Sequence, residues 1–216
     1  MSGDGRELLA AVQAELAPRD DENRLAPLIA SGAAPRSVFR VIAAEELLIV
    51  PSDWRSLHTL AARSSEPAAR SYFGSLAAGE QQALATLGPL AEQAGLTPDE
   101  LRDYEPLAGC QAYPSYFAWL ALNAAPAEVA VAITANFAAW GRYCADIAGG
   151  MREHYGFGAD ARSFFEFFAE PLPDDAAVAA IQAGLDAGAV DPRRVRRYAR
   201  LFQSYELMFW NTLAEA

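Results

Sequence analysis

Residues 191–213 read DPRRVRRYARLFQSYELMFWNTL, and a helix makes sense of them. Asp191 followed by Pro192 is a helix start: the aspartate can accept from an orphan backbone N–H, and proline at the first helical position loses no bond. Val195, Tyr198, Phe202, Tyr205, Phe209 and Leu213 then recur every three or four residues and share one face. At about 100° per residue, Glu206 falls inside that stripe, between Phe202 and Phe209. A carboxylate there is stripped of water, so its pKa is expected to rise unless a cation or hydrogen-bond donors meet it. Taken alone, Glu206 reads equally as a core glutamate satisfied by an arginine or a backbone amide.

The rest of the chain follows the same period. Alanine and leucine dominate, β-branched residues are sparse and no clean period-two run occurs. TPDE at 97–100 is a capping box with Pro98 at the first helical position. The pattern predicts helices over 5–17, 22–31, 36–50, 52–64, 67–94 (with a break near Gly74–Gly79), 98–104, 111–124, 126–155, 159–169, 174–187 and 191–214. Pro51 is expected to end or kink the third of these. Long helices and short loops define an all-α bundle. No linker, charge block or repeat divides the 216 residues, so one domain over 1–216 is expected.

Composition narrows the function classes. The net charge is −11 and the pI about 4.6, which opposes binding to nucleic acid and to anionic membranes. The arginines of DPRRVRRYAR (Arg193, Arg194, Arg196, Arg197, Arg200) read as a solvated or subunit-facing stripe. The N-terminal stretch lacks the basic start and apolar core of a signal peptide, and the two cysteines give no disulfide framework, which points to the cytoplasm. The most apolar long segment, 127–150, contains Glu128, Asn136, Arg142 and Asp146 and reads as a buried helix, not a membrane span. All 17 basic residues are arginine, so a lysine Schiff base or Walker lysine is impossible. Two histidines, His58 and His154, are too few for a histidine-rich di-iron or zinc site; no metal or cofactor is implied.

A second acidic anomaly lies in SVFRVIAAEELLIV, residues 37–50, which is apolar on nearly every face yet holds Glu45 and Glu46. Glu45 shares a stripe with Val38, Ile42 and Ile49, and Glu46 flanks it, so at least one points inward. Buried acids on separate helices of one bundle resemble a site. Aromatic clusters accompany them: Tyr113, Tyr116, Phe117 and Trp119; Phe137, Trp140 and Tyr143, with Asn136 one turn from Trp140; and Phe164, Phe165, Phe167 and Phe168. Such stripes are commonly core. Rings and carboxylates together are also what a planar nitrogen heterocycle requires: rings stack on its faces and carboxylates meet its amino group or ring nitrogen.

Three segments resemble the TenA/thiaminase II family. Phe202–Trp210, FQSYELMFW, is similar to the family's Tyr-Glu-x-x-Phe-Trp ending; Ala112–Tyr116, AYPSY, to its Ala-Tyr-Thr-x-Tyr segment; and Phe39-Arg40 with Glu46 to its Phe-Arg…Gln-Asp segment. The resemblance implies a heme-oxygenase-like helical fold, a homotetramer or homodimer, and an aminopyrimidine pocket used in thiamin salvage. It makes Glu206 the acid/base carboxylate and Glu46 the residue that holds the aminopyrimidine. Tyr113, with Tyr116 and Glu45 nearby, would be a pocket residue, and Trp140 and Phe168 would stand where the family has tyrosines. It also places Asn136 where the family carries its nucleophilic cysteine, and an amide cannot form the adduct a thiolate forms. Cys144 and Cys110 are the remaining thiols. Three readings follow: a TenA-like hydrolase without the cysteine, a non-catalytic ligand-binding protein, and a regulatory helical interaction protein.

Overall fold

Ten helices make up about three quarters of the chain in the computed structural model, which describes residues 4–19 and 22–216; no strand occurs among the described residues. In chain order they are α1 (Gly5–Glu15), α2 (Leu25–Ala30), α3 (Val38–Arg63), α4 (Pro67–Ala94), α5 (Pro98–Arg102), α6 (Ala108–Asn123), α7 (Pro126–His154), α8 (Ala159–Ala169), α9 (Asp175–Asp186) and α10 (Pro192–Leu213). Met1–Gly3, Asp20 and Asp21 lie outside the described residues.

Local chemistry sets most of the starts. Asp4 and Asp191 each accept from the backbone N–H two residues on, and Thr97 and Glu100 exchange bonds in a full capping box. Prolines open α4, α5, α7 and α10, and Gly95 ends α4 in the left-handed conformation at φ 78°.

Four helices differ from expectation. The segments 36–50 and 52–64 are one helix, α3, which continues through Pro51. A proline inside a helix removes one N–H bond and crowds one carbonyl. Here α3 packs against α4 and against α6, and that packing outweighs the local loss. Likewise α4 runs unbroken through Gly74 and Gly79. α6 begins three residues earlier than expected and holds Pro114 in its interior, and α2 is shorter than its pattern.

The buried side chains form two clusters. One gathers Phe39, Ile42, Leu87, Ile147, Phe164, Phe165, Phe209 and Trp210; the other gathers Leu9, Leu60, Phe73, Leu120, Val131, Ile181 and Phe202. α10 contributes to both: Val195, Ala199 and Phe202 lie in the second cluster, and Phe209, Trp210 and Leu213 in the first. Tyr113 packs against both. The arginine-rich start of α10 is anchored from below. Arg194 reaches the buried carboxylate of Glu128 with Nε at 3.0 and 3.2 Å, Asp191 donates its N–H to the same group, and Arg196 pairs with Glu15 at 2.8 Å. No helix among the described residues is long and apolar enough to cross a membrane.

Candidate functional site

Where the two clusters meet, seven helices line a cavity of about 690 Å³, α1 through Gln13 alone. α3 supplies Glu46, Ile49, Val50, Asp53 and Leu57, a single stripe at three- and four-residue spacing. α4 supplies Leu76, Gly79 and Glu80; α6, Tyr113 and Phe117; α7, Ile133, Asn136 and Trp140; α8, Phe167 and Phe168; α10, Phe202 and Glu206. Exposed residues of α7 (Ala138, Arg142, Ala145) and of the α8–α9 connection (Glu170, Pro171, Leu172) form the rim. The size suits a small organic ligand.

The sequence-derived candidates divide. Glu46, Tyr113, Asn136, Trp140, Phe168 and Glu206 all stand on the cavity wall. Glu45 and Tyr116 do not. Glu45 is fully buried but turns to the other side of α3, where it accepts from the Tyr104 hydroxyl at 2.7 Å, the Leu107 N–H at 2.6 Å and the Gln111 side-chain amide at 2.7 Å. It ties the α5–α6 connection to α3. Tyr116 stacks on Trp119 at 5.9 Å and meets Tyr205 at 5.0 Å on the outer face of α6 and α10. Arg40 pairs with Glu100, and Phe39 packs on Tyr155 and Phe157, so the Phe-Arg pair serves the frame.

Glu206 is 3% exposed and accepts a hydrogen bond from the Asn136 side-chain amide across the α7–α10 interface. Burial raises its pKa well above the ordinary carboxyl range; the Trp210 indole N–H nearby favours the charged form, although that N–H completes no full hydrogen bond. Trp140 spans the middle of the cavity. Its ring is nearly parallel to Tyr113 (17°, centroids 6.3 Å apart), edge-on to Phe168 at 6.1 Å, and backed by Trp210 at 4.7 Å.

Two carboxyls that the sequence reading passed over line the same space. Asp53, 4% exposed, lies on α3 seven residues beyond Glu46, and Glu80 faces it from α4. Burial raises Asp53 to about 8, with the Tyr113 hydroxyl beside it acting the other way. Burial and then the charges of Asp53 and Glu46 raise Glu80; burial and then Asp53 and Glu45 raise Glu46. One Asp53 oxygen, Oδ1, is buried with no hydrogen-bond partner. The signal was available: Phe73, Ala77, Glu80, Ala83 and Leu87 share a face of α4, just as Glu206 shares one on α10.

Neither thiol lines the cavity. Cys110 and Cys144 are fully buried, and burial pushes both thiols up, away from the thiolate a nucleophile requires. Arg142, at the rim, is the one cationic side chain of the lining among the described residues, and its guanidinium lies over the Tyr143 ring at 5.5 Å.

The all-α bundle has a heme-oxygenase-like fold, by its likeness to solved structures. The chain belongs to the TENA/THI-4/PQQC family, whose model matches residues 25–215. Among solved structures it is similar to a TenA homologue of Pseudomonas syringae pv. tomato DC3000 (13% identity, 98% of this chain and 91% of that one, TM-score 0.71). It is also similar to a TenA homologue from P. horikoshii OT3 (16%, 98% and 95%, TM-score 0.68). A domain of unknown function with a heme oxygenase-like fold from Shewanella denitrificans OS217 is similar as well (10%, 97% and 88%, TM-score 0.66). No curated protein matches the chain.

Proposed function

We propose that the protein binds an aminopyrimidine in this cavity and hydrolyses it as part of thiamin salvage, without a cysteine nucleophile. The observation that carries the reading is the pairing of Glu206 with Asn136 on one wall of a cavity whose other walls offer Glu46 and the Tyr113, Trp140 and Phe168 rings. Glu46 holds the amino group and adjacent ring nitrogen of the heterocycle, and the rings cover its faces. Glu206 is the acid/base group. Raised by burial, it keeps its proton to higher pH than a free carboxyl and can deliver it to the departing nitrogen. Water supplies the new C–O bond at the methylene carbon, the C–N bond breaks with its electron pair leaving on nitrogen, and the proton lost by water restores Glu206. Asn136 holds one Glu206 oxygen, which fixes the other toward the cavity.

The Asn136–Glu206 bond also favours a second reading, a ligand-binding protein in which the amide has replaced the chemistry. The exposed apolar side chains of α6 and α10, Trp119, Leu122, Leu201 and Met208, support a homo-oligomer in either case. The test is release of the pyrimidine alcohol from thiamin and from 4-amino-5-aminomethyl-2-methylpyrimidine, followed beside calorimetric binding of both. Turnover abolished by Glu206→Gln supports the hydrolase. Binding without turnover supports the second reading. Rapid thiamin cleavage that is unchanged in Glu206→Gln refutes the assignment of Glu206.

A further inference from the structure

The Glu206–Asn136 wall and Glu46 account for a heterocycle, but they leave Asp53 and Glu80 unused. Both acids line the cavity, one from α3 and one from α4, close enough for the charge of Asp53 to raise Glu80, and Tyr113 stands beside Asp53. No arginine or backbone donor reaches either among the bonds of the described residues, and Asp53 Oδ1 is buried, unpartnered and on the cavity wall. A structural acid at 4% exposure ordinarily has its lone pairs met, as Glu45 and Glu128 do in this chain. An orphan carboxylate oxygen next to two further acids is an arrangement that a cation completes.

The cation's chemistry can be narrowed. No group of three or more His, Cys, Asp or Glu among the described residues is arranged to hold a metal ion. The acids are strung out: Asp53 lies seven residues, about 10 Å of helix rise, beyond Glu46 on one face of α3. Ile49 and Val50 line the wall between them on α3, and Leu57 and Phe117 add apolar lining. A line of negative charge with apolar walls suits an organic ligand with two separated basic ends.

We infer that Asp53 and Glu80 form a second recognition subsite, which takes a protonated amino group carried on an arm of the ligand while Glu46 holds its ring. The subsite rests on the ring assignment of the proposed function for its ligand, and on the Asp53–Glu80 geometry alone for its charge preference. The ammonium donates to both carboxylates, and the Tyr113 hydroxyl steadies Asp53 from the side.

The experiment is calorimetric titration with 4-amino-2-methylpyrimidines bearing a 5-aminoalkyl arm of one to three carbons, each against its hydroxyalkyl twin. A heterocycle-free pair, 1,4-diaminobutane and 4-aminobutan-1-ol, runs beside them. Wild type is expected to prefer the amine of at least one twin pair by about tenfold or more, because a charged group is left unpaired otherwise. Asp53→Asn, Glu80→Gln and the double variant should bring that ratio to about one while changing the hydroxyl twin by less than about threefold. Glu46→Gln should weaken both twins. The single variants, both isosteric, stand in if the double does not fold. Twins that bind equally well to wild type would overturn the subsite and leave the aminopyrimidine reading intact. Diamine binding that the Asp53 and Glu80 variants lose, with no pyrimidine bound at all, would keep the subsite and remove that reading. An amine preference that survives in the double variant, or no binding by either series, overturns the inference.

Discussion

Asp53→Asn should make the empty protein more stable at pH 8 and leave it almost unchanged at pH 4. Burial lifts the Asp53 carboxyl from 3.8 to about 8. A group whose folded pKa is raised favours the folded state while protonated. That contribution is complete below about 3.8 and is lost as pH climbs toward about 8. At about 1.36 kcal/mol for each tenfold, the full span corresponds to roughly 5–6 kcal/mol. Water entering the cavity and proton sharing with the neighbouring acids reduce this, so about 1–3 kcal/mol is expected at pH 8. The charged groups facing Asp53 are Glu46 on its own helix, Glu80 on α4, Tyr113 on α6, Glu206 on α10 and Arg142 at the rim on α7. Burial is the main cause of the rise, and the Tyr113 hydroxyl opposes it. For a chain of this length the gain corresponds to about 3–10 °C in Tm. The assay is thermal melting by circular dichroism from pH 4 to 8.5, in steps of half a unit, for wild type and variant. Wild type should lose stability between pH 5 and 8, and the variant's curve should be flatter. A variant that melts lower than wild type at pH 8, or by a constant amount at every pH, would show that Asp53 is a satisfied structural acid.

Asn136→Cys should introduce thiamin hydrolysis above the wild-type level if the position faces the reacting carbon; a single-turnover assay for a covalent adduct checks it, and an inert, correctly folded variant counts against Asn136 as the nucleophile position. Gly150→Ala should lower stability by more than about 2 kcal/mol, because the new methyl would sit 2.7 Å from the Ile29 carbonyl carbon, and backbone cannot yield as a side chain can. Gly149→Ala, with nothing within 4 Å, should be neutral or stabilising by up to about 1 kcal/mol; denaturant melts of the two separate close approach from helix propensity. Arg194→Ala should destabilise the fold by leaving the Glu128 carboxylate, 1% exposed, without its cation, and denaturant melts at neutral pH check it.

Glu206, Tyr113, Trp140 and Phe168 were legible because each lies on an uninterrupted helical stripe, so period alone shows which way it points. Glu46 was legible only as one of a pair: adjacent residues on a helix buried on both sides give no way to tell which faces a ligand. That was settled by the donors around Glu45, contributed from residues about sixty positions away. Asp53 was hidden by Pro51. Treating the proline as a helix end cut the stripe that joins Glu46 to Asp53, while tertiary packing carries α3 straight through. Glu80 sits in the polar run GEQQ, where its neighbours are solvated and the apolar face it shares is spread over fifteen residues. Local chemistry marked the helix starts well. Interruptions inside helices were misjudged, because their penalty is local and the forces that override it are not.

The placement of α10 sets an order of events in synthesis. Its first half completes one core cluster and its second half the other, and Glu206 sits at the joint. Until α10 docks, neither cluster has its final wall and the cavity lacks Phe202 and Glu206. A chain that stops short of Phe202 is not a slightly shortened version of this protein; it never encloses the cavity.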